Sequence, residues 1–355
     1  MKPVYVAGRA LASALGLDLA QAAAAMSRPS ADEPARYILP GSENGTVPYF
    51  SIPYQNDCWN DRARALISRA AADAQAERAR HGALFIATSS QDGDGVEQSI
   101  REMDFNVLAN RIAGWLDWQG PIFLVSTACT SSINAMLSAL ELLRAGAVSE
   151  ALILGIELDN RLTAPGFAAL QLLTRSSSKP FAQARDGLIL GEAVAALRLS
   201  TDEAALWRVL GGANVVDGTQ PAGASETAVV EMCQRALTAS GIQPQQIDLI
   251  KVQAAGSPGN DAVEAAGLRQ AFIELPALIS FKHLIGHCMG ASGAAEIALL
   301  LTCLEQGVWP EYFAEADPAL GVQLAARAPQ QVQRVLANIL GFGGSHATVV
   351  LARAP

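Results

Sequence analysis

The chain is predicted to fold as an α/β protein of two similar halves, each a sheet covered by helices. Three observations carry that prediction. Short, apolar, β-prone runs alternate with helical periodicity along most of the 355 residues. Half of the residues are hydrophobic and 17% are charged, so a substantial core can be buried. The pattern order also repeats about a junction near residues 200–203, dividing the chain into 1–200 and 201–355. Each half has a long amphipathic helix, a strand, and a Gly- or Ser-rich turn into another helix.

Taken in order, residues 4–7 open directly in a strand, without the layout of a secretory leader. Residues 11–26 are expected to be helical. Residues 27–59, rich in Pro, Ser, Asn and aromatics, read as an irregular surface excursion. Helical spacing over 61–79 leads to a strand at 83–88, with Arg62, Arg64 and Arg69 expected on a solvated helix face. A strand at 122–126 runs through small polar residues into a helix at 132–145, with Gly146 as its C-cap. Strands follow at 151–156 and 193–199, separated by a partly loop-like stretch at 155–185. The second half reads as strands 207–212, 249–253, 278–281, 335–340 and 347–352, with helices over 226–240, 262–272 and 293–305. The apolar run at 297–304 is too short to span a bilayer and reads as a core helix.

The formal charge of −9 argues against a nucleic-acid surface. Cys58, Cys129, Cys233, Cys288 and Cys303 are scattered, with no CxxC pair. That spacing fits a reduced, cytoplasmic protein and offers no metal site.

Cys129 holds the most informative position. It lies where the strand at 122–126 ends and the next helix begins, among small polar residues. Free N–H groups and the helix dipole favour an anion there, so a nucleophilic thiolate is expected. His287 sits at a second junction, in a glycine-spaced loop between a strand ending at Phe281 and a helix near Ala291. Alone, it would more often be structural.

Four motifs then occur in a telling order: Thr127-Ala-Cys-Thr-Ser-Ser132, Lys179-Pro-Phe-Ala-Gln-Ala-Arg-Asp-Gly-Leu-Ile-Leu-Gly-Glu192, Lys282-His-Leu-Ile-Gly-His-Cys-Met-Gly-Ala-Ser-Gly293 and Asn338-Ile-Leu-Gly-Phe-Gly-Gly-Ser-His346. Together they closely resemble the β-ketoacyl-acyl carrier protein synthases of the thiolase superfamily, over nearly the whole chain. The resemblance implies a thiolase-like fold, two halves in an α-β-α-β-α layering. It implies Cys129 as nucleophile, His287 and Lys282 as catalytic partners, and the N–H groups of Cys129 and Phe342 as an oxyanion hole. Glu296, Asn260, Asp261 and His346 match supporting positions, Lys282 and Glu296 those that hold His287. It also implies acyl carrier protein as a partner, bringing its own phosphopantetheine, with no bound cofactor. Dimerisation through a strand near the nucleophile is expected, 121–125 or the neighbouring 151–156, as a homodimer or with an intact ketosynthase paralogue. Phe105 to Leu108, Ile133, Met136 and Phe167 fall where an acyl tunnel would run.

The departures are as telling. The family carries a first catalytic histidine in Glu-Ala-His-Gly-Thr-Gly-Thr. Here the stretch is Gln253-Ala-Ala-Gly-Ser-Pro-Gly-Asn-Asp261, which is shorter. Keeping the glycine puts Ala255 in the histidine's place; counting back from Asn260 and Asp261 puts Gln253 there. Ala182, His283, Leu340 and His346 replace an aspartate, a serine, a phenylalanine and an asparagine. A chain-length-factor-like subunit with impaired condensation is therefore expected. The alternatives are an active ketosynthase or acyltransferase and a non-enzymatic carrier-protein scaffold.

Overall fold

The structure, a computed structural model, describes residues 2–27, 34–39, 45–54, 56, 58–90, 104–160, 162–219 and 223–355. In chain order the strands are β1 (Val4–Ser13), β2 (Ala35–Ile38), β3 (Thr46–Phe50), β4 (Ala83–Ala87), β5 (Ile122–Val125), β6 (Glu150–Glu157), β7 (Leu190–Gly191), β8 (Ala193–Ser200), β9 (Trp207–Val216), β10 (Leu249–Lys251), β11 (Ala277–Ile279), β12 (Arg334–Leu340) and β13 (Ser345–Arg353). The helices are α1 (Leu19–Met26), α2 (Trp59–Asp73), α3 (Phe105–Trp115), α4 (Ser131–Arg144), α5 (Thr163–Ala169), α6 (Glu226–Ser240), α7 (Pro258–Ala271), α8 (Lys282–Ile285) and α9 (Ser292–Gln306).

Ten strands form one sheet, β11-β10-β12-β13-β9-β1-β8-β6-β4-β5. Number the five strands that each half gives to this sheet, and both read 3-2-4-5-1 from edge to centre. The pairing signs agree as well. In each half the second strand is parallel to the third and fourth, and the remaining pairs are antiparallel. The halves meet where β1 pairs antiparallel with β9, Val4 opposite Val209 and Tyr5 opposite Arg208.

Period-2 alternation fixes the layers. On β6, Ala151 and Ile153 join the central core, while Leu152 and Leu154 face an outer one. On β12, Val335, Ala337 and Ile339 face the centre, and Leu336 and Leu340 the opposite outer core. Helices α2 and α3 cover one outside, α6 and α7 the other. Helices α4 and α9 fill the middle, and α9 is buried from Ser292 to Cys303. Among the described residues, no helix is long and apolar enough to cross a membrane.

Several expectations need correction. β1 continues to Ser13 because residues 8–13 pair in register with β8. The following helix therefore starts only at Leu19, where the Asp18 carboxylate caps Gln21 N–H at 2.8 Å. The stretch at 27–59 is not wholly irregular: β2 and β3 pair antiparallel, and β3 continues onto β7. Of the two proposed pairing edges, β6 lies inside the sheet between β8 and β4, so only β5 is an edge. Its residues are all partly exposed, with Phe123 stacked on Phe85 at 4.8 Å.

Arg62 is not on a solvated face. Spacing of four aligns it with Leu66 and Ala70 on the buried stripe of α2. Its guanidinium clamps Glu192 at 2.6 and 2.7 Å, and its Nε donates to Tyr54 O at 2.8 Å. Glu192 also accepts the N–H groups of Ile52 and Asp159, both at 2.8 Å. Arg64 and Arg69 are exposed, the latter paired with Asp18.

Candidate active site

The chain leaves β5 and turns sharply at Ala128, whose φ of +51° is rare for a residue with a Cβ. Small hydroxyl residues hold the turn. Ser131 Oγ accepts from Thr127 N–H at 2.9 Å and donates to Ala128 O at 2.6 Å. Thr130 Oγ1 bonds Thr127 O at 2.7 Å and Ser345 Oγ at 2.8 Å. The last contact ties the turn to the glycine loop that carries Phe342. The N–H groups of both Phe342 and Cys129 favour the anion on the Cys129 sulfur. These are the two donors expected of an oxyanion hole.

His287 arrives from the other half of the chain. Gly286, at φ +71°, brings the backbone against Leu190, where a Cβ would lie 2.7 Å from the Leu190 carbonyl oxygen. His287 N–H then donates to Ile189 O at 2.7 Å, and Gly191 N–H donates to His287 O at 3.1 Å. The ring is left with Nε2 3.0 Å from Cys129 Sγ and Nδ1 3.2 Å from Ser292 Oγ. A thiol facing a neutral ring donates S–H to Nε2, and Nδ1–H donates to Ser292.

Among the described residues, Lys282 and Glu296 make no hydrogen bond to the ring, contrary to the expectation that they hold it directly. Lys282 ion-pairs with Glu296 Oε1, and a second lysine, Lys251, reaches Glu296 Oε2 at 2.9 Å. All three are buried. Ser292 is what orients the ring. Sequence reading missed both Ser292 and Lys251. Lys251 did carry a signal, a lone charge inside the apolar run Leu249-Ile-Lys-Val252.

The thiolate expectation is also corrected. Cys129 is 2% exposed, and burial pushes its thiol up to about 11 against the Phe342 N–H and the Lys282 charge. Loss of water outweighs the helix terminus. His287 lies well below its ordinary value because of burial, then Lys282 and Lys251. Both shifts favour a thiol facing a neutral imidazole over an ion pair.

A cavity of about 30 Å³ adjoins the pair, room for one or two waters. Its lining includes Cys129, His287, Phe167, Phe342, Asn260 and the stretch 253–255. Phe167 and Phe342 stack at 5.3 Å to form one wall. Gln253 and Ala255, the two residues weighed for the histidine's place, both line it. The carboxylates nearby hold the loop. Asp261 accepts the N–H groups of Phe181, Ala255, Gly256 and Ser257. Glu264 accepts those of Gln253 and Ala254, both at 2.8 Å. Burial raises Asp261 to about 6 and Glu264 to about 7. Of the tunnel residues proposed, Phe167 lines the cavity. Ile133 and Met136 sit in the central core, and Leu108 sits in the outer one.

His346 is buried and is not among the cavity-lining residues. Among the described residues neither ring nitrogen has a hydrogen-bond partner. Burial lowers its protonation, opposed by Asp217. Below the unfolded value of about 6.5, the unfolded chain binds a proton that the folded ring resists. Stability from this residue is thus present above about pH 6.5 and lost as pH falls. His346→Asn should raise the melting temperature at pH 5.5 more than at pH 8. Thermal unfolding at both pH values checks this; an equal change at both would refute it.

Comparison with known proteins places these observations. The model for "Beta-ketoacyl synthase, N-terminal domain" matches residues 65–205, and that for "Beta-ketoacyl synthase, C-terminal domain" matches 208–314. A mitochondrial 3-oxoacyl-acyl-carrier-protein synthase of Arabidopsis thaliana is 28% identical over 277 residues, 70% of this chain and 59% of that protein. Polyketide synthase ThaG of Burkholderia thailandensis is 29% identical over 296 residues, 70% of this chain and 5% of that protein. The chain thus spans less than two thirds of either relative. Among solved structures, the ketosynthase ApeO in complex with its chain length factor ApeC, from Xenorhabdus doucetiae, superposes with a TM-score of 0.86 at 25% identity, covering 99% of this chain and 98% of that one.

Proposed function

We propose, for a chain that belongs to the β-ketoacyl synthase family, a role in fatty acid or polyketide elongation as a chain-length-factor-like subunit of a ketosynthase heterodimer. In this reading Cys129 accepts acyl groups, and condensation by the chain itself is impaired. One observation carries the reading: a complete Cys129–His287 contact opens on a cavity whose remaining walls hold no second imidazole. Reading Ala255 as the emptied position is supported by Gly256, which keeps a φ of +90° where a Cβ would lie 2.8 Å from Gly187 O.

Acyl transfer uses groups that are present. The Cys129 sulfur attacks the thioester carbonyl of an acyl carrier protein as its proton passes to His287 Nε2. The N–H groups of Cys129 and Phe342 receive the charge on oxygen. Collapse expels the phosphopantetheine thiolate, which takes the proton back from His287. Condensation requires an enolate oxygen to form on loss of carbon dioxide from a malonyl thioester. With the sulfur acylated, the neutral ring can take its other tautomer, Ser292 Oγ–H donating to Nδ1; His287 Nε2–H is then the one imidazole donor left, and a missing donor of this kind commonly costs about 10²–10⁴-fold.

The partner is an intact ketosynthase, and β5 is the edge that fits it, because among the described residues its backbone is unpaired on one side and its side chains are half exposed. The setting that fits is the cytoplasm, in keeping with five free cysteines. A second reading, an active homodimeric acyltransferase or ketosynthase, is favoured by the intact sulfur contact alone. Mass spectrometry after incubation with acyl and malonyl carrier proteins separates them, with and without the paralogue. An acyl adduct on Cys129, with product only alongside the paralogue, is expected. Efficient product from the chain alone would overturn the subunit reading, and no adduct would favour a scaffold.

A further inference from the structure

Two lysines compete for one carboxylate behind the reactive pair. Lys282 Nζ takes Glu296 Oε1, Lys251 Nζ takes Oε2 at 2.9 Å, and Lys251 also donates to Asn338 O at 2.5 Å. Lys251 and Glu296 are 0% exposed and Lys282 is 1% exposed. Glu296 needs a single cation for balance, and Lys282 already supplies it. Isolated buried charges are costly, so a second lysine with no anion of its own calls for a reason.

We propose that Lys251 is a positioning residue for the Cys129–His287 pair: as the surplus ammonium on Glu296, it keeps the His287 ring neutral. A neutral ring can accept the thiol proton and can later donate Nε2–H to an oxygen; an imidazolium could not accept. The use made of that ring rests on the acyl-accepting function proposed above, whereas the charge balance does not.

The groups facing the pair come from every packed element. They are Cys129 before α4, Lys282 on α8, Lys251 on β10, Glu296 on α9, Glu157 at the end of β6 and Glu264 on α7, with Cys288 next in the chain. Burial works against the charged form of both remaining carboxylates. Burial pushes Glu264 up to about 7, and it pushes Glu157 up despite N–H donors from Ser89 and Gly290. Burial also lowers Lys251 itself, opposed by Glu296. Its two oxygen partners, the Glu296 carboxylate and the Asn338 carbonyl, favour the ammonium form against that burial.

The chain has four histidines, so imidazole signals of ¹⁵N-histidine-labelled protein can be followed one by one as pH falls. The His287 signal is identified by its loss in His287→Asn. In the unaltered protein the ring should stay neutral from pH 8 to pH 5. Lys251→Met and Lys251→Gln, confirmed folded by circular dichroism, should each raise its midpoint by about one pH unit or more. An unaltered protein whose His287 titrates near 6.5 overturns the proposal whether or not the variants fold. So does a midpoint that neither folded variant moves. No acyl substrate enters this measurement, so it stands apart from any failure of acyl loading.

Discussion

Ala255→His should raise malonyl-thioester decarboxylation by about 10²-fold, the lower end of what one lost imidazole costs. The substitution adds a ring to a cavity of about 30 Å³ that already contains Cys129 and His287. The surrounding loop is held independently of residue 255's side chain. Asp261 and Glu264 bind its backbone N–H groups, and Ser178 Oγ and Ser280 Oγ donate to Ala255 O and Ala254 O, both at 2.8 Å. The new ring would therefore enter a fixed frame, but into little free space. Release of carbon dioxide from malonyl carrier protein is the measurement, with Gln253→His as the comparison. A larger gain from Gln253→His would move the emptied position to that residue. No gain from either would show that the pocket has lost more than a ring.

Arg62→Met should destabilise the fold by about 3–5 kcal/mol, because it takes the cation away from the buried Glu192 carboxylate, which keeps the N–H groups of Ile52 and Asp159. The effect should reach the active site. Glu192 directly follows β7, where Gly191 N–H holds the backbone of His287, so loosening this corner loosens the ring. Urea unfolding checks the magnitude. Arg62→Met with Glu192→Gln should recover part of the loss, since removing both charges avoids the unpaired carboxylate. A single variant as stable as the parent would show that the pair adds nothing to stability.

The alternation of patterns was enough to read the α/β class, and the four motifs were enough to name the groups around the sulfur. Both depend on local signals: period 2 against 3.6, and small residues where backbones crowd. What escaped was decided by tertiary neighbours. Residues 11–13 look helical by composition, yet the presence of β8 makes them strand. Arg62 looks solvated until Glu192 is brought opposite from 130 residues away. The dipole argument for Cys129 was sound about direction but blind to depth, and burial reversed its outcome. Ser292 and Lys251 act through partners distant in sequence or hidden within an apolar run, so no spacing rule marks them.

Helix α9 rests on β1, β6 and β8 of one half and on β12 of the other, while β1 and β9 are hydrogen-bonded directly. A protease cutting the connection between β8 and β9 would therefore nick the molecule without releasing two fragments. Gene halves divided there and produced separately would each leave a face of the central layer bare. They should be recovered only when made together, as a non-covalent pair.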